Sequence, residues 1–134
     1  VRRVHLDTAF YLAQALQPYL LQANGHFVLI GSRVGQVGAR GQSNYAAAKS
    51  GLIGFMKSLA REWAPEIPVN LVRPPLTHST MTEDLDRTDQ IETRESVEPA
   101  DATQTANWID ALVRDPKITG QVLTIDQRID GHGW

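Results

Sequence analysis

Two side chains with complementary acid–base chemistry, Tyr45 and Lys49, stand four residues apart at the start of a predicted helix. This spacing places both on one side of the helix. A phenol has a pKa of about 10 and is a poor acid or base at neutral pH, but a nearby ammonium stabilises the phenolate and lowers that pKa. A tyrosine tuned in this way can exchange protons with a carbonyl or alcohol oxygen. The pair taken alone is also common on solvated helix faces, so it does not by itself establish catalysis.

A serine precedes this pair at a place where ligands bind in α/β proteins. Ser32 follows the apolar run 26–30, which we interpret as a buried strand. Ligand-facing residues of such sheets lie beyond the carboxyl ends of the strands, so the Ser32 hydroxyl could hold the same substrate oxygen as the tyrosine. The spacing of Gly31, Gly35 and Gly38 does not fit a dinucleotide-binding loop, and we interpret them as turn glycines.

The elements that must position these residues alternate between helix and strand. Helical periodicity covers 4–22, 44–63 and a third segment that opens at Glu98-Pro99 and ends at Asp115-Pro116, while short apolar runs predict strands at 26–30, 69–72 and 121–125. This order predicts an α/β fold with three parallel strands, right-handed crossovers and flanking helices, which is half of a doubly wound, Rossmann-like sheet. Residues 31–43 are predicted as a loop, and the polar stretch 76–98 as a lid.

Composition restricts the remaining function classes. The 134 residues contain no cysteine, and 13 Lys and Arg stand against 15 Asp and Glu. We therefore expect one unit over residues 1–134, with no disulfides, no basic surface for nucleic acid, no membrane span and no metal site among the scattered histidines. A cytoplasmic location suits this composition. A parallel sheet of three strands would leave an apolar edge strand unpaired, which predicts more sheet beside it.

One continuous stretch carries a family resemblance. It runs from Ile30-Gly-Ser32 through Gly41-Gln-Ser-Asn-Tyr45-Ala-Ala-Ala-Lys49-Ser-Gly to Glu62, and Tyr45 follows Ser32 by thirteen positions. This stretch resembles the short-chain dehydrogenase/reductase family, and within it most closely the 3-oxoacyl-[acyl-carrier-protein] reductases. Segments 69–74, 81–82 and 118–123 continue the likeness, which covers nearly the whole chain.

The resemblance implies an enzyme that transfers hydride between a nicotinamide cofactor and a carbonyl or alcohol. Tyr45 matches the acid/base of the family, Lys49 the residue that holds the nicotinamide ribose and lowers the tyrosine pKa, and Ser32 the donor to the substrate oxygen. Val34 and Gln42 fall where the family lines its substrate pocket. The implied cofactor is NADP or NAD, with NADP favoured.

The segment after the second strand matches the part of the family that contacts the nicotinamide. Pro74, Pro75, Leu76 and Ser79 are therefore expected to bind the cofactor beside the tyrosine and the lysine. The family has Pro-Gly where this chain has Pro74-Pro75, which removes a backbone N–H and the freedom of glycine, so this loop is expected to be rebuilt. Ser79 stands in place of a threonine and keeps a hydroxyl.

The opening helix departs from the family at one catalytic position. His5 stands where the family has an asparagine. A histidine there could hold a water or relay a proton, or it could be an ordinary surface residue of the helix. Both interpretations stay open.

The dinucleotide-binding first half of the family has no counterpart in this sequence. We expect the chain to be the C-terminal, catalytic half, with the N-terminal half present as a covalent or separate segment, and we expect the chain alone to be inactive. Homo- or hetero-oligomers would form through helices 4–22 and 44–63, as the resemblance implies. The alternative is a non-catalytic scaffold or partner subunit derived from the family.

Overall fold

The computed structural model describes residues 1–75 and 102–125. This part of the chain contains a π-helical turn, four α-helices and three strands. In chain order they are the π-helical turn Arg3–Asp7, α1 (Thr8–Gln22), β1 (Phe27–Ile30), α2 (Val34–Val37), α3 (Ser43–Trp63), β2 (Val69–Arg73), α4 (Ala102–Arg114) and β3 (Val122–Thr124).

The three strands form one parallel sheet in the order β1-β2-β3. Phe27 of β1 lies opposite Val69 of β2, and Leu71 of β2 lies opposite Val122 of β3. This confirms the predicted α/β architecture and the parallel order of its strands. Because parallel strands all end at the same edge, the residues that follow β1 and β2 meet at one end of the sheet.

The central strand β2 is the most buried element of the fold. Val69, Leu71 and Val72 have no exposed surface, and Asn70 is 1% exposed. A buried amide needs hydrogen-bond partners. The Asn70 side chain has two: Nδ2 donates to the Ile118 carbonyl oxygen at 2.7 Å, and Oδ1 accepts from the Gln121 backbone N–H at 3.0 Å. Asn70 therefore ties β2 to the chain that leads into β3.

Helix α3 supplies most of the core that covers this sheet. One of its sides buries Leu52, Met56, Leu59, Ala60 and Trp63. The Trp63 ring meets Phe27 of β1 edge-on, with 5.8 Å between the ring centroids. Helix α1 joins the same core through the small residues Ala9 and Ala13. No helix within the described ranges is long and apolar enough to span a lipid bilayer.

Three local features differ from the sequence prediction. The first predicted helix begins with the π-helical turn Arg3–Asp7 before α1 continues through Gln22. The predicted loop 31–43 is wrong in part, because it contains the short helix α2. The third predicted strand spans only Val122–Thr124. The lid 76–98, the predicted helix start at residues 98–99, Leu76 and Ser79 lie outside the described residues.

Replacing a core residue of β2 tests this packing. Leu71→Ala is expected to lower the free energy of unfolding by about 2–5 kcal/mol, because it removes a fully buried side chain and leaves a cavity. Leu21→Ala is the matched control: Leu21 is 51% exposed on α1, and its change is expected to stay within about 0.5 kcal/mol. Chemical denaturation of the three proteins measures the difference. Equal effects of the two substitutions would contradict the assigned core.

Candidate active site

The side chain of Lys49 is buried at the end of β1. The residue is 8% exposed, and its Nζ donates a hydrogen bond to the backbone oxygen of Ile30 at 2.8 Å. The next residue, Gly31, donates its N–H to Val72 of β2. Since backbone groups alternate sides along a strand, the Ile30 carbonyl faces away from β2, where Lys49 reaches it. Burial lowers the pKa of Lys49 below its ordinary value of 10.5.

Tyr45 lies one turn before Lys49 on α3. The Lys49 Nζ is 5.8 Å from the centroid of the half-buried Tyr45 ring, within the range of a cation–π contact. The two side chains therefore share one side of the helix, as their spacing predicts. At the start of α3, the backbone N–H of Tyr45 donates to the side-chain oxygen of Asn44 at 2.8 Å. The Lys49 ammonium and the Tyr45 phenol are therefore neighbours at the start of α3.

The imidazole of His5 packs against Tyr45, the aromatic member of this pair. Its ring meets the Tyr45 ring edge-on, at 90° and 5.2 Å between centroids. The π-helical turn before α1 carries it there. Burial, and then the positive charge of Lys49, lower the pKa of His5 below its ordinary value of 6.5. Both causes favour the neutral imidazole, which can accept a hydrogen bond or a proton.

His5 and Lys49 also line a cleft of about 260 Å³ between the start of α1 and β1. Thr8 and Ala9 form its helix side, and residues 27–30 form its strand side. The cleft gives the Lys49 ammonium and the His5 ring a common opening on the side of β1 that faces away from β2.

Ser32 follows β1 and begins the turn into α2. Its Oγ accepts a hydrogen bond from the backbone N–H of Val34 at 3.2 Å. This bond occupies an acceptor position and not the hydroxyl proton, which can still be donated to a ligand oxygen. Val34 is the first residue of α2 and is half-buried.

Gly35 has a different role from the turn glycine predicted from sequence. It lies inside α2, and a Cβ built on it would be 2.7 Å from the backbone carbon of Lys49. Real Cβ atoms do not approach backbone so closely, so only glycine lets α2 touch α3 here. Gly38, by contrast, ends α2 with φ +76°, as a turn glycine does.

The other predicted site residues sit at the ends of elements. Gln42 directly precedes α3, and its backbone oxygen accepts from the N–H of Ala46 at 2.8 Å. Pro74 is half-buried and Pro75 buried, and both follow β2 at the end of the sheet where Ser32 follows β1. The binding roles predicted for these three residues remain predictions.

The structure thus brings His5, Tyr45 and Lys49 into one cluster, with Ser32 on the neighbouring segment. Two backbone features of this site could not be predicted from the sequence: the Ile30 carbonyl that holds Lys49 and the close approach of Gly35 to α3. Neither has a local sequence signal, because Lys49 lies 19 positions from Ile30 and 14 positions from Gly35. Over residues 1–75 and 102–125, no group of three or more His, Asp or Glu side chains is placed to hold a metal ion.

The chain is similar to proteins of a known family. The short chain dehydrogenase family matches residues 1–90. "Carbonyl reductase family member 4" of Xenopus tropicalis is 42% identical over 113 residues, which are 84% of this chain and 48% of the relative. "3-oxoacyl-[acyl-carrier-protein] reductase" of Bos taurus is 39% identical, also over 84% of this chain and 48% of the relative. The chain therefore spans about half the length of these relatives.

A solved structure shares the fold. The 3-hydroxyacyl-CoA dehydrogenase type-2 from Mycobacterium avium superposes with a TM-score of 0.81 over 98% of this chain and 56% of that protein. The sequence identity is 23%, so this match shows the α/β fold alone.

The charge of Lys49 is expected to be visible in the titration of His5. In a pH titration followed by NMR, His5 should titrate below 6.5, and Lys49→Met should raise its pKa without fully restoring that value, because burial is the larger cause. Since the unfolded chain binds the His5 proton more readily, this histidine favours folding above pH 6.5 and loses that contribution as the pH falls.

Lys57→Met is the control for this titration, because Lys57 is an exposed cation on the same helix. It should leave the pKa of His5 unchanged. A wild-type His5 that titrates at or above 6.5 would contradict the described surroundings of the ring.

Proposed function

The chain belongs to the short-chain dehydrogenase family, and from this premise we propose that it carries the proton-transfer site of an oxidoreductase that interconverts a carbonyl and an alcohol. The observation that carries the proposal is the buried ammonium of Lys49, held 5.8 Å from the ring of Tyr45. A buried cation costs folding free energy, and its position beside a phenol supplies the charge that proton transfer by tyrosine requires.

Tyr45 and Ser32 act on the same substrate oxygen. In the direction of reduction, the Tyr45 hydroxyl gives its proton to that oxygen as the carbonyl carbon receives hydride; in oxidation the phenolate takes the proton back. Ser32 donates its hydroxyl proton in a hydrogen bond to the oxygen and orients it. Lys49 stabilises the phenolate that remains after reduction.

The residues present fit the nicotinamide end of the cofactor. The Lys49 ammonium has three donors and gives one to Ile30, which leaves two for the hydroxyls of a ribose. NADP or NAD supplies or accepts the hydride when bound; the family resemblance favours NADP. Tyr45 and Lys49 would hold it together with Pro74, Pro75 and, beyond the described residues, Leu76 and Ser79. Pro74 and Pro75 have no N–H, so at these two positions only the ring atoms and the carbonyl oxygens are available to the cofactor.

The substrate is a small molecule with a carbonyl or alcohol group. Two relatives are named as a carbonyl reductase and as a 3-oxoacyl-[acyl-carrier-protein] reductase, which supports this class. Val34 and Gln42 would line the substrate side of the site, since one starts α2 after Ser32 and the other precedes α3 before Tyr45.

His5 acts as a proton relay in this proposal. Its neutral ring touches Tyr45 and lines the cleft that also reaches Lys49. A neutral imidazole can take up a proton at one nitrogen and release one from the other, so it can connect the site to solvent.

The phosphates of the dinucleotide need binding groups besides the residues named above. We propose that an N-terminal half, covalent or separate, supplies the phosphate-binding groups and adds its strands beside β1. Helices α1 and α3 would form the contact between subunits, in a cytoplasmic homo- or hetero-oligomer. Exposed aromatic side chains on α1 support such a contact: Phe10 is 49% and Tyr11 67% exposed.

The same exposed surface favours the second candidate, a non-catalytic partner subunit. Phe10 of α1 and Phe55 of α3 lie 5.7 Å apart between ring centroids and join the two helices into one apolar surface. Such a subunit would need the surface but not the cluster of Tyr45 and Lys49.

Removing one hydroxyl decides between the two candidates. Tyr45→Phe is expected to lower kcat by about 100-fold or more in an assembly that contains this chain, because the ring stays in place and the proton donor is lost. Tyr19→Phe, on the exposed surface of α1, is the matched control and should keep full turnover. The assay follows oxidation of NADPH or NADH with a panel of carbonyl compounds. Unchanged turnover in Tyr45→Phe would favour the partner subunit.

The 134-residue chain alone is expected to show no turnover and no measurable NADPH or NADH binding, since its sequence contains no glycine-rich dinucleotide-binding motif. Calorimetric titration of each cofactor into the isolated chain, and into the assembly as a positive control, measures this. Tight binding by the isolated chain would show that the proposed division of the cofactor site is wrong.

A further inference from the structure

Helices α2 and α3 are joined by a contact that uses both backbone and side chain. The hydroxyl of Ser50 donates a hydrogen bond to the backbone oxygen of Gly35. A Cβ built on Gly35 would lie 2.8 Å from the Cβ of Lys49 and 2.9 Å from the backbone nitrogen of Ser50. The two helices therefore touch backbone to backbone, and the Ser50 hydroxyl fixes the touching point.

This contact links the two segments that carry the proposed site. On one side, Gly35 follows Ser32 by three residues, and the Ser32 Oγ is bonded to the N–H of Val34 within the same turn. On the other side, Ser50 directly follows Lys49 on α3. A shift of α2 along α3 would move Ser32 relative to Lys49 and Tyr45.

Helix α2 has little of its own to hold it in place. It has four residues, one of them glycine, and a helix this short is not stable without tertiary contacts. The absence of a side chain at Gly35 lets α2 come close to α3, but it also leaves no side chain at this point that could interlock with α3. A directional hydrogen bond does.

We propose that Ser50 is a positioning residue, which sets the distance between the Ser32 hydroxyl and the Tyr45–Lys49 pair through its bond to Gly35. The inference rests on the proposed function, because the distance matters only if Ser32 and Tyr45 hold one substrate oxygen. Both groups must then lie within hydrogen-bond reach of a single atom, and small displacements of such groups reduce turnover strongly.

The test compares three variants at the Ser50 and Ser58 positions in the active assembly. Ser50→Ala removes the hydroxyl, Ser50→Thr restores one, and Ser58→Ala removes an exposed hydroxyl from the same helix. Ser50→Ala is expected to lower kcat/KM for the carbonyl substrate by about tenfold or more. The KM for the cofactor should change less than about twofold, because Lys49 itself does not move. Ser50→Thr should recover most of the loss, and Ser58→Ala should match the wild type.

Hydrogen exchange supplies a readout that needs no turnover. The backbone N–H groups of residues 35–38 donate hydrogen bonds to the carbonyl oxygens of residues 32–34, at the start of α2 and just before it. Ser50→Ala should accelerate their exchange at least severalfold over the wild type and over Ser58→Ala.

The outcomes separate this inference from the function it rests on. Wild-type exchange in Ser50→Ala overturns the contact. The positioning role is overturned if Ser50→Ala exchanges faster but turns over substrate like the wild type. It is also overturned if the cofactor KM worsens by as large a factor as kcat/KM for the carbonyl substrate. If the wild-type assembly itself shows no turnover, the proposed function fails, and the exchange experiment still accepts or rejects Ser50 as the residue that holds α2.

Discussion

The hydrogen bond from Lys49 to the carbonyl oxygen of Ile30 fixes how helix α3 lies on the sheet. A buried ammonium is costly unless a partner replaces the lost water, and here the partner is a strand backbone at 2.8 Å. Leu52 and Met56, three and seven residues further along, lie on the same side of the helix and are 2% and 0% exposed. Turning the helix to release Lys49 would bring these side chains into water, at about 1.5–3 kcal/mol each.

The remaining parts of the site follow from that placement. Tyr45 is one turn before Lys49, so its ring has to lie near the ammonium, and the His5 ring then packs on it at 5.2 Å. Helix α2 packs against the backbone of Lys49. The gap between the two helices is too small for a side chain, so the residue of α2 at this point is Gly35. The core that stabilises the fold and the geometry of the proposed site are therefore set by the same helix, and they cannot vary independently.

The sequence predicts those elements whose apolar residues recur at regular spacing along the chain. A periodic apolar pattern predicts the helix that the structure shows at Ser43–Trp63. Short continuous apolar runs predict the two strands Phe27–Ile30 and Val69–Arg73. The side on which Tyr45 and Lys49 lie follows from their spacing alone. Helix α2 could not be predicted in this way, because four residues are too few to show a helical period. The acceptor for Lys49 and the partner of Ser50 depend on tertiary contacts across 19 and 15 residues, which no local pattern reports.

The unpaired edge of β1 lies beside the Lys49 side chain of the proposed site. Among the described residues, β1 pairs only with β2, and Ile30 keeps 42% of its surface exposed. A carbonyl oxygen accepts two hydrogen bonds, so a strand added beside β1 can use the Ile30 oxygen without displacing Lys49. Such a strand would remove water from the cleft that Lys49 and His5 share. Charges interact more strongly in such a water-poor environment, and burial also costs more for each charged group. Completing the sheet, as proposed for the whole protein, would therefore change the surroundings of the Tyr45–Lys49 pair as well as bury the edge of β1.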